Sequence, residues 1–239
     1  MAYSAIEWTE MTWNPTTGCT KVSAGCKFCY AEAMTRRLQA MGSPKYRSGF
    51  EVALHPDELH VPHRWRKPRV VFVGSMSDIF HRDVPEAFIG QVFQTMADCP
   101  RHSFQVLTKR ATRLKRISSL LNWTENVWMG VSVEDRTQIS RIEHLKRCGA
   151  GNRFLSLEPL LGPLPALPLD GIDWVIVGGE SGARSRPMAA EWVHDIRDQC
   201  EAASVPFFFK QWGGSNKKKA GRLLSGRIHD GLPSVLRAA

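Results

Sequence analysis

Short apolar runs alternate with amphipathic stretches along most of this chain. We predict strands at residues 69–74, 104–108, 127–133, 154–157, 174–178 and 207–211, and a short first strand near 11–14. Apolar runs without polar alternation are typical of parallel strands buried on both faces. Helical spacing predicts helices at 31–41, 85–97, 112–121, 136–146 and 189–203. The order predicts an α/β fold: a full or partial parallel β/α barrel with six or seven βα units, or alternatively a doubly wound open sheet.

Length and composition favour one domain. The 239 residues, 43% of them hydrophobic, suffice for one core of barrel size, and no linker divides them. We expect residues 1–213 to form the barrel, and residues 214–239 to pack on it as a basic tail or a hairpin about Ser225-Gly226. No apolar run is long enough to cross a bilayer, so we expect a cytoplasmic monomer without a membrane partner.

Positive charge is the main compositional bias. Thirty-two Lys and Arg against 23 Asp and Glu leave a formal charge of +9. Such a charge favours a polyanionic partner, and nucleic acid is the natural candidate. The cations are grouped along the chain, although a solvated surface would also account for any one group. We predict DNA contacts from Arg64, Arg66, Lys67, Arg110, Lys217 and Lys218, with Trp212 as a stacking surface.

Polar side chains follow nearly every predicted strand. In parallel β/α folds the functional residues lie at the carboxyl ends of the strands, although any single residue there could instead cap a helix or form an ion pair. We therefore predict one polar pocket at this edge. Four of these side chains are assigned to substrate, because an amide and a carboxylate–lysine arrangement suit a base edge: Glu158, Glu180, Lys210 and Gln211.

Three cysteines follow the first predicted strand, in the segment TTGCTKVSAGCKFCYAE. Cys19, Cys26 and Cys29 are spaced C-x6-C-x2-C. An odd number in an apparently intracellular chain disfavours disulfides, and a structural zinc would want a fourth ligand, whereas the next histidine is His55. A catalytic zinc on three thiolates stays open as an alternative. Three thiolates in one loop suit a [4Fe-4S] cluster whose remaining iron is open for a ligand.

The segment CKFCY resembles the cysteine loop of radical S-adenosylmethionine (SAM) enzymes, whose usual spacing, C-x3-C-x2-C, has a shorter first gap. Five segments are also similar to a phage-associated family of radical-SAM-like proteins: TWNPTTGCTKVSAGCKFCYAE, VGSMSDIFH, FLSLEPLLGPL, DWVIVGGESG and FFFKQWGG. This resemblance covers essentially the whole chain.

The resemblance implies cofactors and a reaction class. It implies a [4Fe-4S] cluster on the three cysteines, SAM bound at the open iron, a 5'-deoxyadenosyl radical, and an external reductant such as flavodoxin or ferredoxin. By position, the methionine amino group would meet Ser75, Ser77 and Asp78, and its carboxylate would meet Lys109 or Arg110. Ser132 and Glu134 would take the ribose hydroxyls, and Phe28 and Tyr30 would flank the adenine.

The substrate is predicted from charge and architecture, which are similar to those of the spore photoproduct lyases, radical SAM enzymes that repair thymine lesions. We therefore predict a lyase that repairs a UV-induced pyrimidine lesion in DNA. Two alternatives remain open. One is a radical SAM enzyme that modifies a nucleobase or a nucleotide-derived small molecule, and the other is a non-enzymatic DNA-binding module with a structural metal.

Overall fold

A computed structural model describes Ser4 and residues 6–237, except for the side chains of Lys217, Lys218, Val235 and Arg237. The strands are β1 (Met11–Trp13), β2 (Thr16–Thr17), β3 (Ala53–Leu54), β4 (Val70–Val73), β5 (Ser103–Thr108), β6 (Val127–Ser132), β7 (Asn152–Leu157), β8 (Trp174–Gly178) and β9 (Phe207–Gln211). The helices are α1 (Tyr30–Ala40), α2 (Glu86–Ala97), α3 (Ala111–Ile117), α4 (Ser140–Lys146), α5 (Ala190–Ala202), α6 (Lys217–Ala220) and α7 (Ser234–Arg237). Within these described residues, no helix combines the length and the apolar character that a membrane span requires.

Seven parallel strands form the main sheet, in the order β1-β4-β5-β6-β7-β8-β9. The sheet curls into a half-barrel with helices between its strands. The prediction of a partial β/α barrel is therefore confirmed. The doubly wound alternative is wrong, because such a sheet reverses its strand order near the middle and this order runs in one direction from β1 to β9.

Two predicted helices are shorter than the sequence pattern suggested. The helix predicted at 136–146 begins at Ser140, because Asp135 caps a separate 3₁₀ turn over Arg136–Gln138 and accepts a 2.8 Å hydrogen bond from the Thr137 backbone N–H. The helix predicted at 112–121 ends at Ile117, where a second short turn follows. Capping by Asp135 therefore overrode the helical spacing at the first of these places.

The concave face of the half-barrel divides into an apolar part and a polar part. Towards the amino ends of the strands, Phe72, Trp128, Phe154, Trp174 and Phe208 pack in one cluster with Trp8. The Trp8 ring lies 4.7 Å from that of Phe72 and 6.3 Å from that of Trp174, between centroids. Further along three of these strands the same face carries polar side chains, namely Ser132, Ser156, Glu158 and Lys210. The aromatic cluster thus forms a floor beneath the carboxyl edge.

Residues after β9 return along the free edge of that strand. The His229 carbonyl accepts a 2.9 Å hydrogen bond from the Phe209 backbone N–H, and Gly231 donates to the Phe207 carbonyl at 3.0 Å. The predicted turn at Ser225-Gly226 is present, with φ values of 51° and 75° that suit a two-residue hairpin. This segment covers hydrogen-bonding groups at the edge of β9. The division of the chain at residue 213 stays a prediction.

Gly130 in β6 tests how tightly the aromatic floor is packed. A Cβ at this position would overlap the Phe154 ring, so we expect Gly130→Ala to lower the free energy of unfolding by about 1–3 kcal/mol. Gly90 in α2 is the matched control, because its added Cβ meets nothing within 4 Å, and Gly90→Ala should raise stability by about 0.5–1 kcal/mol. Urea unfolding measures both, and equal effects would contradict the packing described here.

Candidate active site at the carboxyl edge of the sheet

The cysteine loop, residues 18–29, leads from β2 into α1. Its start is fixed by backbone hydrogen bonds from Gly18 to the Met76 carbonyl, 3.0 Å, and from Cys19 to the Phe50 carbonyl, 3.2 Å. Gly18 has φ +79°, and a Cβ there would overlap the Glu51 carbonyl, so only glycine fits this approach. The long connection between α1 and β4 therefore packs against the start of the cysteine loop.

Glu134, just after β6, holds the middle of the cysteine loop. It is fully buried, and three side chains from different parts of the chain contact its carboxylate. Ser23 donates to Oε1 at 2.7 Å, Lys109 Nζ lies 3.1 Å from Oε1, and Arg141 Nη1 lies 2.8 Å from Oε2. Burial alone would raise the pKa of Glu134, but the two cations outweigh it and the pKa lies below its ordinary value. A Cβ on Gly25 would lie 2.5 Å from this side chain, so the loop approaches closely.

Glu180, after β8, holds the same turn through Arg186. The Arg186 guanidinium donates to the two Glu180 oxygens at 2.5 and 2.9 Å, and its Nη2 also donates to the Ala24 carbonyl at 2.9 Å. These hydrogen bonds lower the pKa of Glu180 despite its burial. The 3₁₀ turn Ala24–Cys26 is therefore docked by two carboxylates, and this docking accounts for the long gap between the first two cysteines.

Three predicted site residues take part in this docking. Ser132 with Glu134 was expected to bind the ribose, Lys109 or Arg110 the methionine carboxylate, and Glu180 the substrate. In the structure Glu134 accepts from Ser23, Arg141 and Lys109, and Glu180 pairs with Arg186, while the roles of these residues toward SAM and substrate stay predictions. Ser132 is buried beside them, and its carbonyl accepts from Arg141 Nη1 at 2.7 Å.

The loop after β4 is also internally satisfied. Asp78 accepts from Thr108 Oγ1 at 2.8 Å and from the Lys109 backbone N–H at 3.1 Å. Ser77 Oγ lies 2.6 Å from Thr16 Oγ1, and Ser75 Oγ donates to Asn14 at 3.2 Å. These three predicted SAM-binding residues lie at the expected edge of the sheet, but their polar atoms hold the loops together.

The three cysteines of the loop are free and half-buried. Arg110 Nη2 donates to Cys19 Sγ at 3.5 Å, and Ser23 Oγ lies 3.8 Å from Cys26 Sγ. Burial, followed by the charge of Asp78, raises the pKa of the Cys19 thiol to about 11, against the opposing effect of Arg110. Across the part of the chain that the structure describes, no three Cys, His, Asp or Glu side chains are grouped for one metal ion. A donor set of three soft thiols fits an iron–sulfur cluster, in which each thiolate binds a different iron.

Glu158 and Lys210 meet on the polar part of the concave face. Lys210 Nζ lies 3.0 Å from Glu158 Oε1, and Ser156 donates to Oε2 at 3.2 Å. The two side chains are 14% and 18% exposed, so the pair is partly open to the concave side. Their predicted convergence at the strand ends is present in the structure, because both residues follow the strand alternation of the aromatic floor.

Gln211 and Trp212 are placed differently from the prediction. Gln211 lies on the opposite face from Lys210 and donates to the Gly179 carbonyl at 2.9 Å. The Trp212 indole N–H donates to the Leu223 carbonyl at 2.9 Å, and its ring packs 4.9 Å from that of Phe209. Gln211 points away from the Glu158–Lys210 pair, because consecutive strand residues point to opposite faces. Trp212 lies beyond the end of β9, and its ring packs on Phe209.

Phe28 and Tyr30 lie beside Cys29 and line a cavity of about 260 Å³. The Phe28 ring lies beneath the guanidinium groups of Arg184 and Arg186, 5.2 and 5.4 Å from the ring centroid. The Tyr30 side chain is 54% exposed, and its hydroxyl donates to the Ser75 carbonyl at 2.5 Å. No pattern in the sequence indicated the contacts made by Ser23, Arg141, Arg184 and Arg186.

The predicted DNA-binding cations do not share one face. Arg64, Arg66 and Lys67 are exposed and precede β4, which places them at the amino edge of the sheet, away from the cysteine loop. Arg110 follows β5 at the carboxyl edge and contacts the loop. The side chains of Lys217 and Lys218 lie outside the described residues. The predicted DNA contacts therefore fall at two edges of the sheet, and they stay a prediction.

Together these features define an α/β half-barrel with a three-cysteine loop docked on the carboxyl edge of its sheet. The chain belongs to the family described as "Protein of unknown function (DUF5131)", whose model matches residues 3–233. No curated protein matches the chain.

The chain is similar in fold to three solved structures of spore photoproduct lyase. A singly substituted lyase matches with 15% identity and a TM-score of 0.51, over 74% of this chain and 57% of that one. A lyase complexed with dinucleoside spore photoproduct matches with 13% identity and a TM-score of 0.50, over 83% and 62%. A doubly substituted lyase with bound AdoMet and dinucleoside spore photoproduct matches with 12% identity and a TM-score of 0.48, over 80% and 61%. The chain thus spans 57–62% of the length of these lyases. The fold-level similarity predicted from the sequence is confirmed, and the phage association stays a prediction.

Glu134→Gln tests the docking of the cysteine loop. Removing the charge leaves the Lys109 and Arg141 cations without their buried partner, so we expect a loss of about 3 kcal/mol in the free energy of unfolding at pH 7. The pKa of Glu134 is lowered by folding, so its contribution is present above the ordinary value of 4.5 and is lost as the pH falls further. The difference between wild type and variant should therefore shrink in acid.

Urea unfolding from pH 7 down to about pH 3 measures this difference, because the loss occurs below 4.5. Glu143→Gln on α4 is the control, because Glu143 is exposed and its nearest cation, Lys146, lies 3.9 Å away. A Glu134→Gln protein as stable as this control would show that the carboxylate does not hold the loop.

Proposed function

We propose that the chain is a radical SAM iron–sulfur enzyme that acts on nucleic acid, with repair of a UV-induced pyrimidine lesion as its reaction. The observation that carries the proposal is the cysteine loop: three half-buried free thiols at the carboxyl edge of a parallel half-barrel. The fold similarity to a lyase complexed with dinucleoside spore photoproduct supports the substrate class. A reductant such as flavodoxin or ferredoxin would be an external partner.

Cys19, Cys26 and Cys29 would hold the [4Fe-4S] cluster. Bound there, the cluster would supply one-electron reduction of SAM. The residues of the chain keep the loop in place for this chemistry: Glu134 through Ser23, and Glu180 through Arg186. Arg110 donates an N–H to the sulfur of Cys19, and Phe28 and Tyr30 present aromatic surface next to Cys29. The aromatic floor excludes water from below.

The Glu158–Lys210 pair is the part of the pocket suited to a nucleobase. The ammonium donates hydrogen bonds and the carboxylate accepts them, whereas the edge of a thymine offers carbonyl acceptors beside an N–H donor. Both side chains retain some exposure, so their remaining hydrogen-bonding capacity is available on the concave side. We infer that this pair orients the base that reacts.

One observation favours a second candidate. Because Arg64, Arg66 and Lys67 lie at the opposite edge of the sheet, a long duplex cannot contact all predicted cations along one face. A nucleotide-derived small molecule, modified at the same Glu158–Lys210 pair, needs no such face. A non-enzymatic module with a structural metal would bind DNA without consuming SAM.

Replacing each loop cysteine tests the cluster. Cys19→Ala, Cys26→Ala and Cys29→Ala should each lose the cluster on anaerobic reconstitution, because each removes one of three thiolate ligands. Cys200→Ala is the control, because this thiol of α5 is buried in the main hydrophobic core, apart from the aromatic floor. Iron content and visible absorbance measure the result. Four irons per chain retained in the Cys19 variant would contradict the assignment, as would a zinc-only wild-type protein.

The substrate role of the ion pair is tested by Glu158→Gln and Lys210→Met. Both variants should keep their iron but lose the release of 5'-deoxyadenosine that substrate stimulates. Among the described residues, neither side chain forms a hydrogen bond or an ion pair with the cysteine loop. The assay compares irradiated DNA, intact DNA, RNA and free nucleotides, with the exposed Glu143→Gln variant as control. Stimulation by irradiated DNA supports repair, and stimulation by free nucleotides alone would favour the second candidate. Iron loss in both variants would make the pair part of the scaffold and overturn this role.

A further inference from the structure

Two cationic clefts lie at the carboxyl edge, on either side of the cysteine loop. The first, the arginine cleft, has a volume of about 480 Å³ and is lined by Phe80, Arg82, Arg110, Thr112, Arg113 and Arg116. The second, the Phe28 cleft, is the cavity of about 260 Å³ beside Cys29, whose cations are Lys21, Lys27, Arg36 and Arg184. Each cleft therefore presents four cations, and Glu32 is the one carboxylate lining either of them.

Adjacent residues of the cysteine loop connect the two clefts. Arg110 lines the arginine cleft and donates to the Thr20 carbonyl at 3.0 Å and to the Thr20 hydroxyl at 3.1 Å. The next residue, Lys21, lines the Phe28 cleft. Positive charge thus continues from one cleft to the other across the loop that bears the cysteines.

Arg82 and Arg113 of the first cleft are available to an anion, whereas Arg116 pairs with Glu86 at 2.9 Å and Arg110 lies 3.8 Å from Asp78. Arg113 is held by the neutral carbonyls of His81 and Val84, so none of its charge is cancelled by these contacts. Burial, and then the nearby charges of Arg116 and Arg110, lower its pKa despite the opposing effect of Glu86 and Asp78. Arg82 pairs with Asp83 at 3.6 Å through exposed atoms, and such a pair exchanges readily with an incoming phosphate.

The second cleft carries a larger excess of positive charge. Glu32 pairs with Lys21 at 3.2 Å and with Arg36 at 2.6 Å, so one carboxylate faces two cations. With Lys27 and Arg184, the cleft has a net charge of three. Among the described residues no carboxylate forms an ion pair with Lys27 or Arg184, and both lie near the Phe28 ring. Guanidinium and ammonium groups of this kind are the usual contacts of backbone phosphates.

We propose that the two clefts form one phosphate-binding track, along which a single nucleic-acid strand crosses the cysteine loop. The inference rests on the proposed function and deepens it. It assigns Arg82, Arg113, Arg116, Lys27 and Arg184 to the substrate backbone and excludes the amino-edge cluster. A strand held at both clefts brings an intervening nucleotide to the concave side, where the Glu158–Lys210 pair lies.

The test compares three double variants that each remove two positive charges. These are Arg82→Gln/Arg116→Gln in the first cleft, Lys27→Gln/Arg184→Gln in the second, and Arg64→Gln/Arg66→Gln at the amino edge as the matched control. Binding of a fluorescent single-stranded 20-mer is measured by anisotropy against salt concentration. Each cleft variant should lower the slope of log K against log salt by about two, and the combined variant by about four, whereas the control should match wild type.

Glu86→Gln is a variant that should change the affinity in the opposite direction. Glu86 pairs with Arg116 at 2.9 Å, so removing its charge frees an arginine of the cleft and should tighten binding severalfold. Iron content of every variant is measured alongside, so that damage to the cysteine loop is separated from lost phosphate contacts.

Three results would overturn the track. Cleft variants that bind like wild type, while the amino-edge control weakens, would place the strand at the other edge and leave the proposed function standing. Equal affinity of wild type for the 20-mer and for thymidine monophosphate would replace the track with a single phosphate site for a small molecule. A wild-type protein that binds no nucleic acid at low salt would contradict both the track and the proposed function.

Discussion

The buried carboxylate of Glu134 is the interaction on which the site depends most. Its partners come from the cysteine loop, the end of β5 and helix α4, so one charge joins three separate segments. A carboxylate that is fully buried is stable only with such partners: Lys109 and Arg141 compensate its charge, and Ser23 adds a hydrogen bond. Because Ser23 is one of the three, the position of the cysteines is tied to the folding of the barrel itself.

The half-barrel forms a pocket that the aromatic floor closes towards the amino ends of the strands and that is open at the carboxyl edge. Strand alternation puts the aromatic floor and the Glu158–Lys210 pair on the same face at successive levels. Gly178 contributes to this arrangement, because a side chain there would overlap the Glu158 carboxylate. The polar end of the pocket and the cysteine loop therefore meet at one edge of the sheet, where charge, thiols and exposed aromatic surface are combined.

The strands and the edge that carries the site were readable from the sequence, because buried parallel strands are continuous apolar runs and the residues after them share one edge. The roles of individual residues were less readable. Ser23 meets Glu134 across 111 residues, and Arg186 reaches Ala24 across 162, and no local pattern encodes contacts of that span. The contacts of Glu134 and of the Glu180–Arg186 pair with the cysteine loop therefore could not be predicted from the sequence. Gln211 was misplaced for a simpler reason, since a shift of one residue along a strand changes its face.

We propose that the three thiolates of the docked loop leave one iron of a cluster open to SAM. Electron paramagnetic resonance of the reduced, anaerobically reconstituted protein, recorded with and without SAM, tests this proposal. We expect a [4Fe-4S] signal whose g values change when SAM is added, because SAM would bind the iron that has no cysteine. A cluster signal that SAM leaves unchanged, or no cluster signal after reconstitution, would contradict it.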